Sequence, residues 1–361
     1  MIESLSPRTA IRISFAFFVG LVTASCRPEA VAPCGLDRTY QTICDIENPE
    51  DLIRLDGTPW ILLAQGRAGA IKAPLAAVNL RDMRLKAAEI DLSDRAFGDT
   101  KGDPACDGPP PRARFRGIDA RPLGEGRFRI AGVNGTEVQR VELFDATTSA
   151  ENISIVWVGC VEVPRSYFLN DIALGPDGDI YAAHMYTRAE GLRRYIMQVH
   201  FLLGDQTGFA VAWKPNKGWS RLRNSSSSFP NGIVLDRADR AIYMTSTYAS
   251  AISRIDLVEG TRKDVVLPIR PDNVSWSDRN TLIVAGGNGL RLISTAGCLE
   301  LSKPGCAFPF GVVEIDPDFA SRRTIFSHQD MKIPGASSAV LVGNALYLGS
   351  AAADRVTVVT P

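Results

Sequence analysis

The stretch Leu169–Met185, "LNDIALGPDGDIYAAHM", decides the fold. An Asn-Asp pair opens it, an alternating apolar run follows, and after a Gly/Asp turn a second run ends in small residues. The same template returns at Pro230–Thr247, "PNGIVLDRADRAIYMTST". Short β-prone runs bounded by turn residues predict an antiparallel hairpin. Four further copies are present: "EDLIRLDGTPWILLAQ" from Glu50, "RGIDARPLGEGRFRIAGVN" from Arg116, "DNVSWSDRNTLIVAGGN" from Asp272 and "SSAVLVGNALYLGSAA" from Ser337. Their starts lie roughly 40 to 65 residues apart, the length of a four-stranded propeller blade with variable outer loops.

Six copies predict an all-β, six-bladed β-propeller. The segments between them, "VQRVELFDA", "ENISIVWVG", "FAVAWKP", "AISRIDL", "RLISTAG" and "GVVEIDP", are short and β-rich and supply the outer strands. A closed ring also removes the sheet edges that a linear stack would expose. One segment departs from this pattern. In "RAEGLRRYIMQVHFLLG", Leu192, Tyr195, Ile196 and Val199 recur at helical spacing, predicting an insertion helix on one face that covers the blades or roofs a binding site. The Gly- and Pro-rich run "GDTKGDPACDGPPPRAR" has repeat copies on both sides, so it reads as a long interblade loop held by Cys106 rather than a domain linker.

The chain has 361 residues, 45% hydrophobic and 22% charged, the profile of a globular protein. Forty basic residues balance forty acidic ones, which leaves no electrostatic footprint for nucleic acid and no basic stripe for a membrane surface. At the N-terminus Arg8 and Arg12 precede the apolar run "ISFAFFVGLVTA" and the small residues of "TASC", the pattern of an export signal over residues 1–25. Small residues before Cys26 also resemble a lipoprotein signal, with Thr23 where Leu or Val is usual. The alternatives are a lipid anchor at Cys26, the only membrane attachment expected, or simple cleavage after Ala24. Residues 26–45 form an N-terminal segment and 46–361 the propeller. The expected location is exported, either periplasmic or anchored to the envelope as a lipoprotein.

There are seven cysteines, and setting Cys26 aside leaves six, which allow fifteen pairings. Close spacing favours Cys34 with Cys44 and Cys298 with Cys306, leaving Cys106 with Cys160. None shows a C-x-x-C spacing, so zinc or redox chemistry is not indicated.

The innermost strands of a propeller all run the same way along the central channel, so the residues before them ring one mouth. Here that ring contains Glu50 and Asp51, Arg116, Asn170 and Asp171, Asn231, Asp272 and Asn273, and Ser337. It is rich in hard oxygen donors and poor in His and Cys, the chemistry of calcium rather than zinc. Glu50, Asn170, Asn231, Asp272 and Asn273 offer two negative charges and three amide carbonyls. By strand alternation Asp51 and Asp171 point elsewhere, toward a separate structural calcium deeper in the channel. A single Asn or Asp before a strand is usually a turn residue; recurrence at equivalent places in four repeats argues for a site.

These pairs, in "NPEDLIRL", "LNDIAL", "PNGI" and "PDNVS", resemble the metal-binding signatures of the paraoxonase (arylesterase) group, related to the gluconolactonase and regucalcin propellers. The resemblance spans essentially the whole mature chain, including "VNGTEVQRVELF" and "YMTSTYASAISRIDL". It implies a catalytic calcium at the channel mouth held by Glu50, Asn170, Asn231, Asp272 and Asn273, and a structural calcium held by Asp51 and Asp171. It also implies hydrolysis of a small-molecule lactone or ester. The chain departs from the group at two places, Gly135 and Arg116, where histidines are usual. Of its three histidines, His184 in "AAHMY" stands where the group often shows one. The candidate catalytic residues are therefore Asp272, Glu50 and His184.

Two functions from different classes follow. One is a calcium-dependent lactonase or arylesterase, with metal polarisation of the carbonyl and base chemistry from Asp272 or a metal-bound water. The other is a non-catalytic calcium propeller that binds a ligand or partner at the envelope, motivated by the two missing histidines. A strictosidine-synthase-like activity is a third, weaker alternative, since fold does not fix chemistry. N-glycosylation sequons occur at Asn134, Asn152, Asn224 and Asn273, but a buried metal ligand at Asn273 would not carry a glycan.

Overall fold

The computed structural model describes residues 29–36, 39–66, 74–87, 89–91, 101–135, 138–188, 191–288, 305–329 and 332–361. The export signal, Cys26, Cys298 and the strand expected at "RLISTAG" lie outside the described residues.

Each predicted hairpin forms the inner pair of strands of one antiparallel sheet, and there are six such sheets. Their innermost strands are Pro49–Leu55, Phe115–Gly124, Leu169–Leu174, Pro230–Leu235, Arg270–Trp276 and Ser338–Val342. Each packs against the innermost strand of the next blade, and the sixth packs back on the first, closing the ring.

No single central core exists. Six apolar clusters lie in the joints between adjacent blades, as where Leu62 and Leu75 of blade one meet Phe115 and Ile130 of blade two. A blade is thus buried on both faces, which is why Trp60–Gln65 and Ala241–Ser246 are buried at every position instead of alternating.

Hydrogen bonds near the channel tie every joint. Asp51 Oδ2 accepts from the Ile118 amide at 2.9 Å, Asp119 Oδ2 from Leu174 at 2.6 Å and Asp171 Oδ2 from Ile233 at 2.7 Å. The Thr245 hydroxyl donates to the Asp272 carbonyl, Ser275 to the Ala339 carbonyl and Ser337 to the Glu50 carbonyl, completing the circuit.

The ring closes with a strand from the N-terminus: Gln41–Ile43 pairs antiparallel with Val356–Val359 and becomes the outer strand of blade six. Residues 41–43, which the sequence places in an N-terminal segment ending at 45, thus belong to the propeller. Joining both chain ends in one sheet removes the weakest seam of a closed ring. The Cys34–Cys44 disulfide pins this segment, and Arg355 donates to the Ala32 carbonyl at 2.7 Å.

Cys106 bonds Cys160, the pair left once the closely spaced cysteines are matched, and Cys306 is also disulfide-bonded. Before Cys106, Glu89–Asp91 and Lys101–Gly102 add short parallel pairings to the outer strand of blade two, Ile153–Glu162. These disulfides point to folding outside the reducing cytoplasm.

The insertion helix spans Leu192–Leu203 and ends at Gly204 in the left-handed conformation. Its orientation differs from the expected stripe: Ile196 and Val199 are exposed, while Phe201 turns onto Tyr186, Phe229 and Tyr248 with ring centroids 5.0–5.4 Å apart. The side chains of Leu192 and Tyr195 lie outside the described residues. Tertiary packing of one large aromatic overrides the shallow aliphatic stripe.

Candidate active site at the channel mouth

The polar pairs sit on β-bulges. In four blades the register between the first two strands slips at the pair, between Pro49 and Asp51, Leu169 and Ile172, Pro230 and Ile233, and Pro271 and Val274. A bulge inserts an extra residue and re-aims its side chains. Here it separates the two members: Glu50, Asn170, Asn231 and Asp272 line one cavity of ≈ 310 Å³, while the second members turn into the channel wall. The glycines after Arg116 and Asn231 serve the same geometry. A Cβ at Gly117 would collide with Asp171, and one at Gly232 with the backbone of Asp272 and Asn273.

The cavity group is two carboxylates and two amides from four different blades. Asn231 Nδ2 donates to Thr247 Oγ1 at 3.0 Å, and Thr247 in turn donates to the Pro271 carbonyl, which fixes the Asn231 amide. Asn170 Nδ2 donates to Asn231 Oδ1, but Asn170 Oδ1 is buried with no hydrogen-bond partner. Burial and the neighbouring Glu50 charge push the Asp272 carboxyl up to about 8, opposed by a hydrogen bond from Asn231 and by the Arg116 charge. Two carboxylates that repel one another and a buried carbonyl without a donor are what a hard cation would satisfy. Among the described residues no three His, Cys, Asp or Glu side chains converge, so any ion here rests on amides as much as on carboxylates.

Asn273 does not line the cavity. It is buried, and its Nδ2 donates to the Glu50 carbonyl at 3.0 Å, placing it behind the group as a support for Glu50. Asp51 and Asp171 lie in the channel, each bound to its own following amide and to an amide of the next blade. Burial raises both carboxyls well above the usual range, with mutual repulsion adding to the shift at Asp171.

No protein-family model matches the sequence, and no curated protein does. Solved structures do match. A luciferin-regenerating enzyme aligns over 88% of this chain and 92% of its own, with a TM-score of 0.53 and 13% identity. A gluconolactonase from Xanthomonas campestris aligns over 93% of this chain and 96% of its own, with a TM-score of 0.50 and 13% identity. The fold is that of the gluconolactonase propellers. At this identity the likeness concerns the fold alone.

In this propeller His184 does not line the cavity. It is buried in blade three, its Nδ1 accepting from the Phe168 amide at 2.9 Å and its ring packed on Phe209 and Tyr167. Burial lowers its pKa to about 4. The neutral ring is therefore a packing and hydrogen-bonding element, which corrects its expected place among the catalytic residues. Because the folded value lies below the ordinary 6.5, the unfolded chain takes up the proton first as pH falls. His184→Gln should accordingly flatten the loss of stability between pH 6.5 and 4, which amounts to on the order of 3 kcal/mol for this group. Denaturant melts of both proteins across that range check it; parallel curves would exclude the assignment.

Arg116 and Gly135, the two positions where the paraoxonase group usually has histidine, form one structural event. Arg116 reaches along the cavity wall to stand 3.9 Å from Glu50, its guanidinium 5.0 Å from the Phe168 ring. A Cβ at Gly135 would stand 3.0 Å from Arg116 Nε. Gly135 is thus the space that the Arg116 side chain occupies. Gly135→His alone is expected to displace Arg116 and lower stability, whereas Gly135→His combined with Arg116→Ala should be tolerated. Melting temperatures of the single and double variants test this, and equal values would refute it.

The cavity residues that the sequence reading missed are Arg114, Arg270, Tyr248, Phe229 and Phe308. Arg114 and Arg270 stand two residues before Arg116 and Asp272, so proximity to the motif was the available signal. Phe229, directly before Pro230, carried the same signal, whereas Phe308 comes from a loop and carried none.

Proposed function

We propose that this propeller is a calcium-dependent hydrolase of a lactone or ester. The observation that carries the reading is the convergence of Glu50, Asn170, Asn231 and Asp272 from four blades on one cavity, with Asn170 Oδ1 buried and unpartnered. Calcium would be held by these four, with Asn273 behind them, and would supply electrophilic polarisation of the substrate carbonyl. A second, structural calcium would lie with Asp51 and Asp171, whose buried carboxylates repel one another.

Asp272 is the base. It faces the cavity beside the other donors, placed to take a proton from water as the water oxygen bonds to the carbonyl carbon. The C–O bond of the ester then breaks, and the proton passes from Asp272 to the departing alkoxide. Asn231 orients the Asp272 carboxylate. Met185, Phe229, Tyr248 and Phe308 form an apolar wall that excludes water from the rest of the substrate. The paired cysteines agree with an exported protein, periplasmic or envelope-anchored through Cys26.

One observation favours a second reading, a calcium propeller that binds without turnover: no histidine lines the cavity among the described residues. A panel of lactones and aryl esters assayed with calcium and with chelator separates the two. Turnover abolished by chelator supports the hydrolase. Calcium-dependent melting without any turnover supports the binding protein, and turnover indifferent to chelator overturns both.

A further inference from the structure

The cavity carries more positive charge than its chemistry needs. Arg114, Arg116 and Arg270 line it against only two carboxylates, Glu50 and Asp272. Arg116 faces Glu50 at 3.9 Å. No carboxylate among the described residues lies within ion-pair distance of Arg114 or Arg270. Arg270 Nη1 and Arg114 Nε are buried with no hydrogen-bond partner, and the Arg270 guanidinium stands 5.6 Å from the Tyr248 ring centroid.

Half-buried guanidiniums are costly to leave unpaired, and they match carboxylates with a planar fork of donors. A divalent cation bound by Glu50 and Asp272 would consume both negative charges and leave all three guanidiniums uncompensated. The same cavity is lined by the aromatic rings of Phe229, Tyr248 and Phe308.

We propose that the substrate is an anion: an aryl or similarly apolar ester or lactone bearing a carboxylate, whose charge is met by Arg114 and Arg270. This rests on the hydrolase reading for its reaction but not for its binding. Arg114 enters from blade two and Arg270 from blade five, so both guanidiniums raise the positive potential of the single mouth that the carboxylate enters.

The test compares para-acetoxybenzoate with its methyl ester, which differs by one negative charge. The wild type with calcium should release acetate from the anion with kcat/KM about 10- to 100-fold higher, the advantage of a hydrogen-bonded charge pair. Arg114→Gln and Arg270→Gln should each reduce that ratio, mainly through KM, and Arg270→Lys should retain part of it. A wild-type ratio within twofold of unity, or a ratio that survives both Gln variants, overturns the proposal while leaving the hydrolase reading standing. If neither ester is turned over, calorimetry decides the anion site alone, and the panel of lactones and esters decides the hydrolase reading. Binding of para-hydroxybenzoate over its methyl ester, lost in Arg114→Gln and Arg270→Gln, sustains it; equal or absent binding ends it.

Discussion

Asp272→Asn is expected to lower ester turnover by about 10²- to 10⁴-fold, the range for removal of a general base, while calcium still stabilises the fold. The replacement keeps volume and one oxygen donor but removes a charge and the ability to take a proton. Glu50, Asn170 and Asn231 remain around the cavity, and the Thr245 bond to residue 272 goes to the backbone carbonyl, which the substitution does not alter. The loss should therefore fall on kcat, with a small effect on melting temperature. Steady-state kinetics with calorimetry on the same samples measure both. A variant that keeps full turnover would remove Asp272 from the mechanism, and one that unfolds would make its role structural.

Calcium removal is expected to have the second largest effect. At 100 times its dissociation constant a ligand that binds only the native state adds about 2.7 kcal/mol, equivalent to roughly 4 °C in melting temperature for a chain of this size. The effect should depend on pH with a definite sign. Without calcium the Asp272 carboxyl titrates near 8, well above an ordinary carboxyl. Between roughly pH 4 and 8 the folded chain thus holds a proton that the unfolded chain has released. Stability of the metal-free protein falls as pH rises through about 8, where Asp272 ionises beside Glu50. Calcium neutralises that repulsion, so the gap in melting temperature between calcium and chelator should be wider at pH 9 than at pH 6. A gap that is absent, or that narrows with rising pH, would sink the assignment of a cation to Glu50 and Asp272.

The six hairpins were legible because each repeats a local pattern, turn residues around β-prone runs, that needs no knowledge of the rest of the chain. From repeat spacing came the blade count, from cysteine spacing the pair Cys34–Cys44, and from what remained the pair Cys106–Cys160. The polar pairs were legible as a ring for the same reason: equivalent positions of a repeat must occupy equivalent places around the axis. What the repeat does not encode is which way each member of a pair points. Alternation alone sends Asn273 and Asp272 to opposite faces, and only the bulge register shows Asn273 supporting Glu50 while Asp272 faces the cavity.

Other features depend on contacts between residues far apart in sequence. Gln41–Ile43 is too short and too polar to announce itself as a strand, and it becomes one because Val356–Val359 offers an unpaired edge. His184 is silent in blade three because the Phe168 amide and the Phe209 ring enclose it. The charge of the cavity arises where Arg114 and Arg270, 156 positions apart in the numbering (270 − 114), are brought to one mouth by ring closure. By itself the sequence determined the repeating unit, the number of blades and the hard-oxygen character of the mouth, since these follow from local periodicity. Only the tertiary structure decided which donors face the cavity, that His184 is packed within blade three and, among the described residues, which cavity arginines have no carboxylate beside them, because those outcomes depend on bulges and interblade packing that no local pattern specifies.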